Sequence, residues 1–233
     1  MSHLENIKPC KIRVLIIGFE NEIRWGELEY FRAAVSDIAG AGHVLFHNHT
    51  LKGYRYSYPL IQYKTWGKRP LLVCLNEGVD EVHHFFENRN GKMILGDREY
   101  DMKIGRINLN RFTLQTWDKT FRYKIYHWLP LNQDNYQKYK MLDNDIDRAE
   151  FLGGILFGNI LSFAKGMGWH LDKELLKVRI HDTGTRRMMR VKKVMREAYT
   201  LEFSTNVFLP DFIGLGRNVS RGYGLVRPVR EKK

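Results

Sequence analysis

The chain contains 233 residues, of which 43% are hydrophobic and 13% are aromatic. This composition excludes an intrinsically disordered protein, and the length allows one or two domains with a sizeable core. Its 38 basic and 26 acidic side chains give a formal net charge of +12. Such an excess is typical either of a well-solvated surface or of a face that binds a polyanion.

The chain has no sequence features of export or membrane insertion. Its first residues lack a basic segment followed by an apolar stretch, so we expect no secretory signal. Cys10 and Cys74 lie beside apolar strand-like runs and are expected to be reduced core thiols of a cytoplasmic protein. The longest uncharged stretch, residues 151–164, would span about 21 Å as a helix, whereas a bilayer core is ~30 Å thick. Its glycines Gly153, Gly154 and Gly158 predict a soluble helix packed closely against a neighbour.

The first half of the chain predicts the element order β-α-β-β-α-β. Apolar periodicity indicates helices over residues 28–39 and 77–88, the first ending before Gly40. Strands are predicted over residues 11–19, 55–64, 71–75 and 93–95. This order is that of a ferredoxin-like unit.

The second half repeats this plan. A strand is predicted over residues 121–129, a long helical region over about 135–165, and strand-like segments over 177–181, 187–194 and 199–204. We therefore expect an α+β fold with two tandem ferredoxin-like (βαββαβ) domains, residues 1–118 and 119–233. Residues 100–115 are expected to form a hairpin that could belong to either half. The acidic trio Asp143, Asp145 and Asp147 is interpreted as the solvated start of a helix.

The positive charge is concentrated near the C-terminus. Residues 1–100 have a net charge of +1, residues 101–150 of +2 and residues 151–233 of +9. Part of this excess lies in a basic run, residues 185–196, that either forms a solvated charged hairpin or follows an RNA backbone. The predicted RNA-binding cations of this run are Arg186, Arg187, Arg190, Lys192 and Lys193.

A glycine-rich segment follows at residues 209–226. Glycines let a backbone approach a phosphate closely, while arginines supply charge and forked hydrogen-bond donors. A plain turn between strands would also explain any one of these glycines. The segment matches neither a Walker loop nor a dinucleotide-binding fingerprint. Its predicted RNA-binding residues are Gly214, Gly216, Arg217, Ser220, Arg221, Gly222 and Gly224.

Gly214-Leu-Gly-Arg-Asn-Val-Ser-Arg-Gly-Tyr-Gly224 resembles the signature loop near the C-terminus of RAMP-superfamily CRISPR proteins. It is most similar to the loop of the sixth Cas family, the endoribonucleases that process precursor CRISPR RNA. Residues 203–210 and the helix over 151–166 resemble the "b" branch of that family. The resemblance covers most of residues 120–227 and implies two ferredoxin-like domains.

A histidine-rich segment follows the first predicted helix, where His43, His47 and His49 fall within seven residues. Histidine exchanges protons near neutral pH, although a single histidine is more often a core or surface residue. A zinc site would need further ligands from elsewhere, and the chain has no CxxC or HExxH motif. We therefore expect no metal. Tyr54, Tyr56, Tyr58 and Tyr63 offer either stacking platforms for bases or core packing.

The resemblance implies catalytic roles for part of this segment. His47 and His49 match a histidine pair of the "b" branch, and Tyr56 matches a tyrosine that follows it; His43 is close enough to compete. Lys52 is expected to bind RNA, and it could stabilise the transition state. The implied activity is metal-independent and cofactor-free cleavage of CRISPR repeat RNA by 2′-OH attack, giving 2′,3′-cyclic phosphate and 5′-OH ends.

Two alternatives to this activity stay open. The protein could be a non-catalytic RAMP that binds guide RNA as a subunit of a CRISPR effector complex, or a general single-strand-binding module. Binding of CRISPR repeat RNA is common to the first two interpretations. The sequence leaves open whether the protein forms a homodimer or associates with other effector subunits, and no membrane partner is expected.

Overall fold

The computed structural model describes residues 9–47, 49–50, 53–54 and 58–230, with the backbone alone at 49–50 and 53–54. Residue contacts divide the chain into two compact units. The N-terminal unit comprises Lys11–Phe112 together with Val219–Gly222, and the C-terminal unit contains Thr113–Asn218 and the residues from Tyr223 onward. The predicted division near residue 118 stays a prediction.

The N-terminal unit contains a four-stranded sheet with two helical crossovers. Its helix α1 turns a stripe of Leu28, Phe31 and Val35 into the core, where the ring of Phe31 meets that of Phe19 edge to face at 5.2 Å. The elements in chain order are β1 (Cys10–Phe19), α1 (Leu28–Ala39), α2 (Val44–His47), β2 (His49–Thr50), β3 (Gly53–Tyr54), β4 (Ile61–Trp66), β5 (Arg69–Leu75), α3 (Glu77–Glu81), α4 (His83–Asn88), β6 (Lys92–Leu95), β7 (Arg98–Asp101) and β8 (Ile104–Leu114).

The strand order of this sheet is β4-β5-β1-β8. The predicted strand at 93–95 exists as β6, but it pairs with β7 in a separate two-stranded ribbon. The expectation that it closes the main sheet is therefore wrong. The sheet is completed by β8, an 11-residue strand long enough to run along β1, whereas β6 has four residues.

The C-terminal unit has a second sheet with the order β10-β11-β9-β12. Its elements are β9 (Thr116–Trp128), α5 (Gln133–Lys140), α6 (Asp145–Gly166), β10 (Val178–Val191), β11 (Val194–Val207) and β12 (Leu225–Pro228). The predicted single helix is two helices, because Asn144 caps α6 by accepting a hydrogen bond from the Asp147 amide at 2.9 Å. Asp143, Asp145 and Asp147 are exposed there, as expected for a solvated helix start.

Both sheets place their strands in the same spatial order, with the second and third strands of each unit followed by the first and the fourth. This order and the alternating helices confirm the predicted α+β fold of two ferredoxin-like units. The second crossover differs, because α3 and α4 fill it in the N-terminal unit and the glycine-rich segment fills it in the C-terminal unit. Within the described residues, Cys10 and Cys74 form no disulfide bond. Among the described residues, no helix combines the length and apolar character needed to cross a membrane.

One expectation for α6 is wrong. A Cβ atom built on Gly153, Gly154 or Gly158 would meet no other atom within 4 Å, so these glycines do not mark a close helix contact. The helix buries the face that contains Leu152, Leu156 and Ile160. Gly153 and Gly154 instead line an open cavity of about 740 Å³ between α6 and β10.

Candidate functional site

The short helix α2 positions His47 through its backbone. The carbonyl oxygen of Phe46 accepts hydrogen bonds from the hydroxyls of Ser36 on α1 and Tyr63 on β4, each at 3.2 Å. Both hydroxyls are buried, and burial raises the pKa of Tyr63 well above its usual value, so its phenol stays protonated and donates. The turn that ends at His47 is therefore fixed to two elements of the N-terminal core.

His47 itself is half-buried at the end of α2. Its carbonyl oxygen accepts a hydrogen bond from Arg32 Nη2 at 2.9 Å. Its ring nitrogen Nε2 is buried and finds no hydrogen-bond partner in the part of the chain that the structure describes. Buried polar atoms are nearly always paired, and an unpaired one is retained where it serves another purpose. Among the described residues, no side chain or backbone group occupies this hydrogen-bonding position of the ring.

The other predicted catalytic residues are less fully described. His49 pairs with Tyr54 across the β2–β3 ribbon, while Lys52 and Tyr56 lie outside the described residues. Of the tyrosines considered as stacking platforms, Tyr63 is a core residue with no exposed surface. The catalytic and RNA-binding roles of His49, Lys52 and Tyr56 stay predictions.

His43 is engaged in a different contact. Its Nδ1 lies 3.1 Å from a carboxylate oxygen of Glu81, and its ring stacks on that of His84 with centroids 3.6 Å apart. These partners belong to α3 and α4. His43 is thus held by α3 and α4, whereas the turn that ends at His47 is held by α1 and β4.

The glycine-rich segment folds back on itself within the C-terminal unit. Backbone hydrogen bonds join Leu215 to Gly224 at 2.8 Å and Val226 to Ile213 at 2.8 Å. Gly224 has φ +65°, and a Cβ there would overlap the carbonyl oxygen of Leu215. Gly214, Gly222 and Gly224 are buried, so the close packing of the protein itself requires glycine at Gly222 and Gly224. Their predicted contact with RNA stays a prediction.

Residues 219–222 belong to the N-terminal unit and attach to α1 and β4. Arg221 Nη1 forms an ion pair with Glu29 Oε1 at 2.9 Å, and Lys64 Nζ donates a hydrogen bond to the Val219 carbonyl at 2.8 Å. A Cβ on Gly222 would collide with Leu28. Of the remaining predicted residues here, Arg217 is exposed and Ser220 is half-buried.

One face of helix α1 therefore holds both the turn that ends at His47 and the segment 219–222. Glu29, which holds Arg221, and Arg32, which holds the His47 carbonyl, are three residues apart and about 4.5 Å apart along the helix axis. Strand β4 contacts both of them as well. The hydroxyl of Tyr63 donates a hydrogen bond to the Phe46 carbonyl, and the backbone of Tyr63 forms a β-bridge with Arg221. The turn that ends at His47 and the segment 219–222 are thus both held by α1 and β4.

The basic run forms the distal part of the β10–β11 hairpin. Its predicted cations are all exposed, and Lys192 and Lys193 form the turn, where Val191 faces Val194. The same unit contains His127, His170 and His181, of which His127 lies near the charge of this run. The pKa of His127 is lowered by burial and by the charge of Arg187, so its ring is neutral at pH 7. The hairpin offers a concentrated positive surface to a polyanion.

Two family models match the chain almost from end to end. The Cas6b N-terminal domain matches residues 10–113, and the Cas6b C-terminal domain matches residues 115–229. The chain belongs to the Cas6b family.

Known proteins similar to the chain agree with this membership. A crystal structure of Cas6b superposes with a TM-score of 0.78 at 28% identity, covering 94% of this chain and all of the other. A second, described as a CRISPR RNA processing endoribonuclease Cas6b, gives a TM-score of 0.66 at 28% identity with the same coverage. The uncharacterized protein MJ0978 of Methanocaldococcus jannaschii is 30% identical over 151 residues, which is 60% of this chain and 99% of that protein.

Cas6b membership confirms the family to which the glycine-rich loop was compared. The structure adds residues that sequence reasoning missed, namely Arg32, Ser36 and Tyr63 behind His47, and Glu29 and Lys64 behind the segment 219–222. Helical spacing offered one usable signal, since Glu29, Arg32 and Ser36 lie at i, i+3 and i+7 on one face. The contacts of β4 had no comparable signal.

Proposed function

We propose that this protein is a metal-independent endoribonuclease that cleaves CRISPR repeat RNA. Membership of the Cas6b family supports RNA processing, and a similar structure of that family is described as a CRISPR RNA processing endoribonuclease. The observation that carries the proposal is the attachment of His47 and residues 219–222 to the same face of α1, with no partner for His47 Nε2 among the described residues.

The chemistry needs one base and one acid. The 2′-oxygen forms a bond to the adjacent phosphorus while the bond from phosphorus to the 5′-oxygen breaks. One of His47 and His49 takes the 2′-OH proton, and the other, or Tyr56, donates a proton to the leaving 5′-oxygen. Imidazole is suited to both steps because its usual pKa is about 6.5. The products are a 2′,3′-cyclic phosphate and a 5′-OH end, and no step uses a metal ion.

RNA binding is assigned to the exposed cations of the C-terminal unit. Arg187, Arg190 and Lys192 of the hairpin, together with Arg217, are exposed and would neutralise phosphates. Paired RNA is recognised mainly by its shape and its phosphates, which suits a charged hairpin. Arg221 is held by Glu29 and serves to fix the loop as well as to supply charge.

The proposal is tested with a labelled repeat-hairpin RNA in excess EDTA under single-turnover conditions. His47→Ala combined with His49→Ala is expected to slow cleavage by about 100- to 10,000-fold, the usual contribution of general acid–base catalysis. The matched control is His170→Ala, an exposed histidine in the other unit, which should cleave at the wild-type rate. RNA with 2′-deoxy at the cleaved position should bind normally and stay intact.

Four outcomes contradict the proposal in different ways. Cleavage that requires a divalent metal, or that persists in the double variant, refutes the histidine mechanism. Tight binding of the native hairpin without cleavage indicates a guide-RNA-binding subunit. Equal affinity for the hairpin and for unstructured RNA indicates a general single-strand-binding module.

A further inference from the structure

A cluster of histidines and carboxylates lies on the N-terminal unit between the α1–α2 turn and the helices α3 and α4. His43 follows the end of α1, Glu81 ends α3, and His84 lies in the first turn of α4. One potential ligand atom from each of the three residues lies within 4.8 Å of the other two. A second group, His83, His84 and Glu87, shares His84 with the first.

The spacing suits a small metal ion. Bonds of about 2.0–2.1 Å to nitrogen and oxygen at a tetrahedral angle place two ligand atoms ~3.3 Å apart. The observed separation between His43 Nδ1 and Glu81 Oε2 is 3.1 Å. Two histidines and one glutamate are also a ligand set that zinc uses with an open fourth position. His43 and Glu81 thus have nearly the separation of two zinc ligands, and a ligand atom of His84 lies within 4.8 Å of both.

Charge and exposure also favour a cation at this position. Glu81 and Glu87 lie within 4 Å of histidine rings, whereas the nearby Asp80 is already neutralised by Arg13 at 2.5 Å. His43, Glu81 and His84 are only 28%, 35% and 27% exposed, which limits competition from water. Glu87 is 63% exposed and is therefore the weaker ligand.

We propose that His43, Glu81 and His84 bind a divalent ion of the zinc class, with water in its fourth position. Nitrogen ligands select zinc over magnesium and calcium, which prefer oxygen. The ion would link the turn after α1 to α4, and the same turn continues into α2, where the Phe46 amide bonds to the His43 carbonyl at 3.1 Å. Binding would therefore stiffen the segment that leads to His47, without taking part in the cleavage chemistry.

Calorimetric titration of zinc into chelator-stripped full-length protein tests the site. Wild type is expected to take up one equivalent, and saturation should raise the unfolding midpoint by several degrees. His84→Ala and the near-isosteric Glu81→Gln should each weaken binding by about 100-fold or more, since even loss of an outer ligand contact costs 10- to 100-fold. Cobalt should give the intense visible absorption of a tetrahedral site in wild type alone.

Matched variants identify the ligands. Glu87→Gln, within the same cluster, and His170→Ala, outside it, should change zinc affinity by less than about threefold, in contrast to the loss of a ligand. His47→Ala should bind zinc like wild type. If wild type binds no zinc, or if His84→Ala and Glu81→Gln bind as wild type does, the proposal is overturned and the cluster is an ion pair only.

The same conclusion follows if only His47→Ala loses binding, since the ion would then sit on another site. Comparing the unfolding midpoints of the metal-free proteins shows that a variant has lost a ligand rather than its fold. Cleavage in EDTA is unaffected by failure of this proposal, so the two can fail separately.

Discussion

The two units share a strand order and differ in how they cross back to the fourth strand. In the N-terminal unit the crossover consists of α3 and α4, which bury Val82 and Phe85 against the core. In the C-terminal unit the crossover is the glycine-rich loop, held by backbone hydrogen bonds between residues 212–215 and 224–226. A helix satisfies its own backbone groups, whereas a loop must find partners for them and can present side chains in several directions.

The glycine-rich loop contains residues of both units. Residues 219–222 belong to the N-terminal unit, while Arg217 and Tyr223 belong to the C-terminal one. Charge is distributed unequally as well, since residues 1–100 have a net charge of +1 and residues 151–233 of +9. On the proposed function, the N-terminal unit carries the proton-transferring histidines and the C-terminal unit carries most of the RNA-binding cations.

Gly224→Ala is expected to have the largest effect, because it disrupts the packing of the glycine-rich loop. The φ of +65° is unfavourable for alanine, and its Cβ would overlap the Leu215 carbonyl oxygen. Strain and overpacking together should cost about 3 kcal/mol or more of unfolding free energy. Urea unfolding measures this loss. Gly26→Ala is the control, because a Cβ there meets nothing within 4 Å; equal stabilities would refute the packing argument.

The charge difference predicts a difference in RNA affinity. Arg187→Gln combined with Arg190→Gln should weaken repeat-RNA binding by about tenfold or more and lower the salt dependence by ~1 for each lost phosphate contact. Cleavage of saturating RNA should continue at the wild-type rate. The matched control removes two exposed cations of the β4–β5 turn, Lys68→Gln with Arg69→Gln. Equal losses in both double variants would show that binding depends on net charge alone.

The sequence was most informative about local structure. Continuous apolar runs located β1 and β5, which are buried on both faces over most of their length, and helical periodicity located α1. It failed where distant contacts decide, as with β8 completing the first sheet in place of β6. The break between α5 and α6 could have been found, since Asn144 before Asp147 is a capping pattern.

The site was predicted only in part for the same reason. The histidine and glycine segments stand out by residue type, but their supports do not. Arg221 and its partner Glu29 are 192 residues apart, and His43 and Glu81 are 38 apart. Pairs at such separations are set by the register of strands and the packing of helices, which one sequence does not specify.

The attachment of the loop to the N-terminal unit predicts a pH dependence. Lys64 is fully buried and donates to the Val219 carbonyl, and burial lowers its pKa well below the usual value. Between that lowered pKa and about 10.4, the unfolded chain binds a proton that the folded chain does not. Unfolding free energy should therefore increase with pH in this window, by up to ~1.4 kcal/mol per pH unit.

Urea unfolding of wild type and Lys64→Met at pH 7, 8 and 9 measures this contribution as the difference between the two proteins. The ionisation of Cys74 and the tyrosines is common to both and cancels. Lys68→Met, at an exposed position, should follow the wild-type pH dependence. Parallel curves for wild type and Lys64→Met would show that the buried amine keeps its ordinary pKa.

The smallest expected effect concerns the helical crossover of the C-terminal unit. Gly154 is exposed on α6, and a Cβ there meets no atom within 4 Å. Gly154→Ala should stabilise the protein by about 0.5–1 kcal/mol, because alanine loses less backbone entropy in a helix. Thermal unfolding measures the gain, with Leu152→Ala on the buried face as the opposite case. If Gly154→Ala is stabilising and yet weakens RNA binding, the glycine keeps the cavity between α6 and β10 open for the RNA. In that case helix α6, which precedes β10, contributes to RNA binding in addition to the glycine-rich loop, which precedes β12.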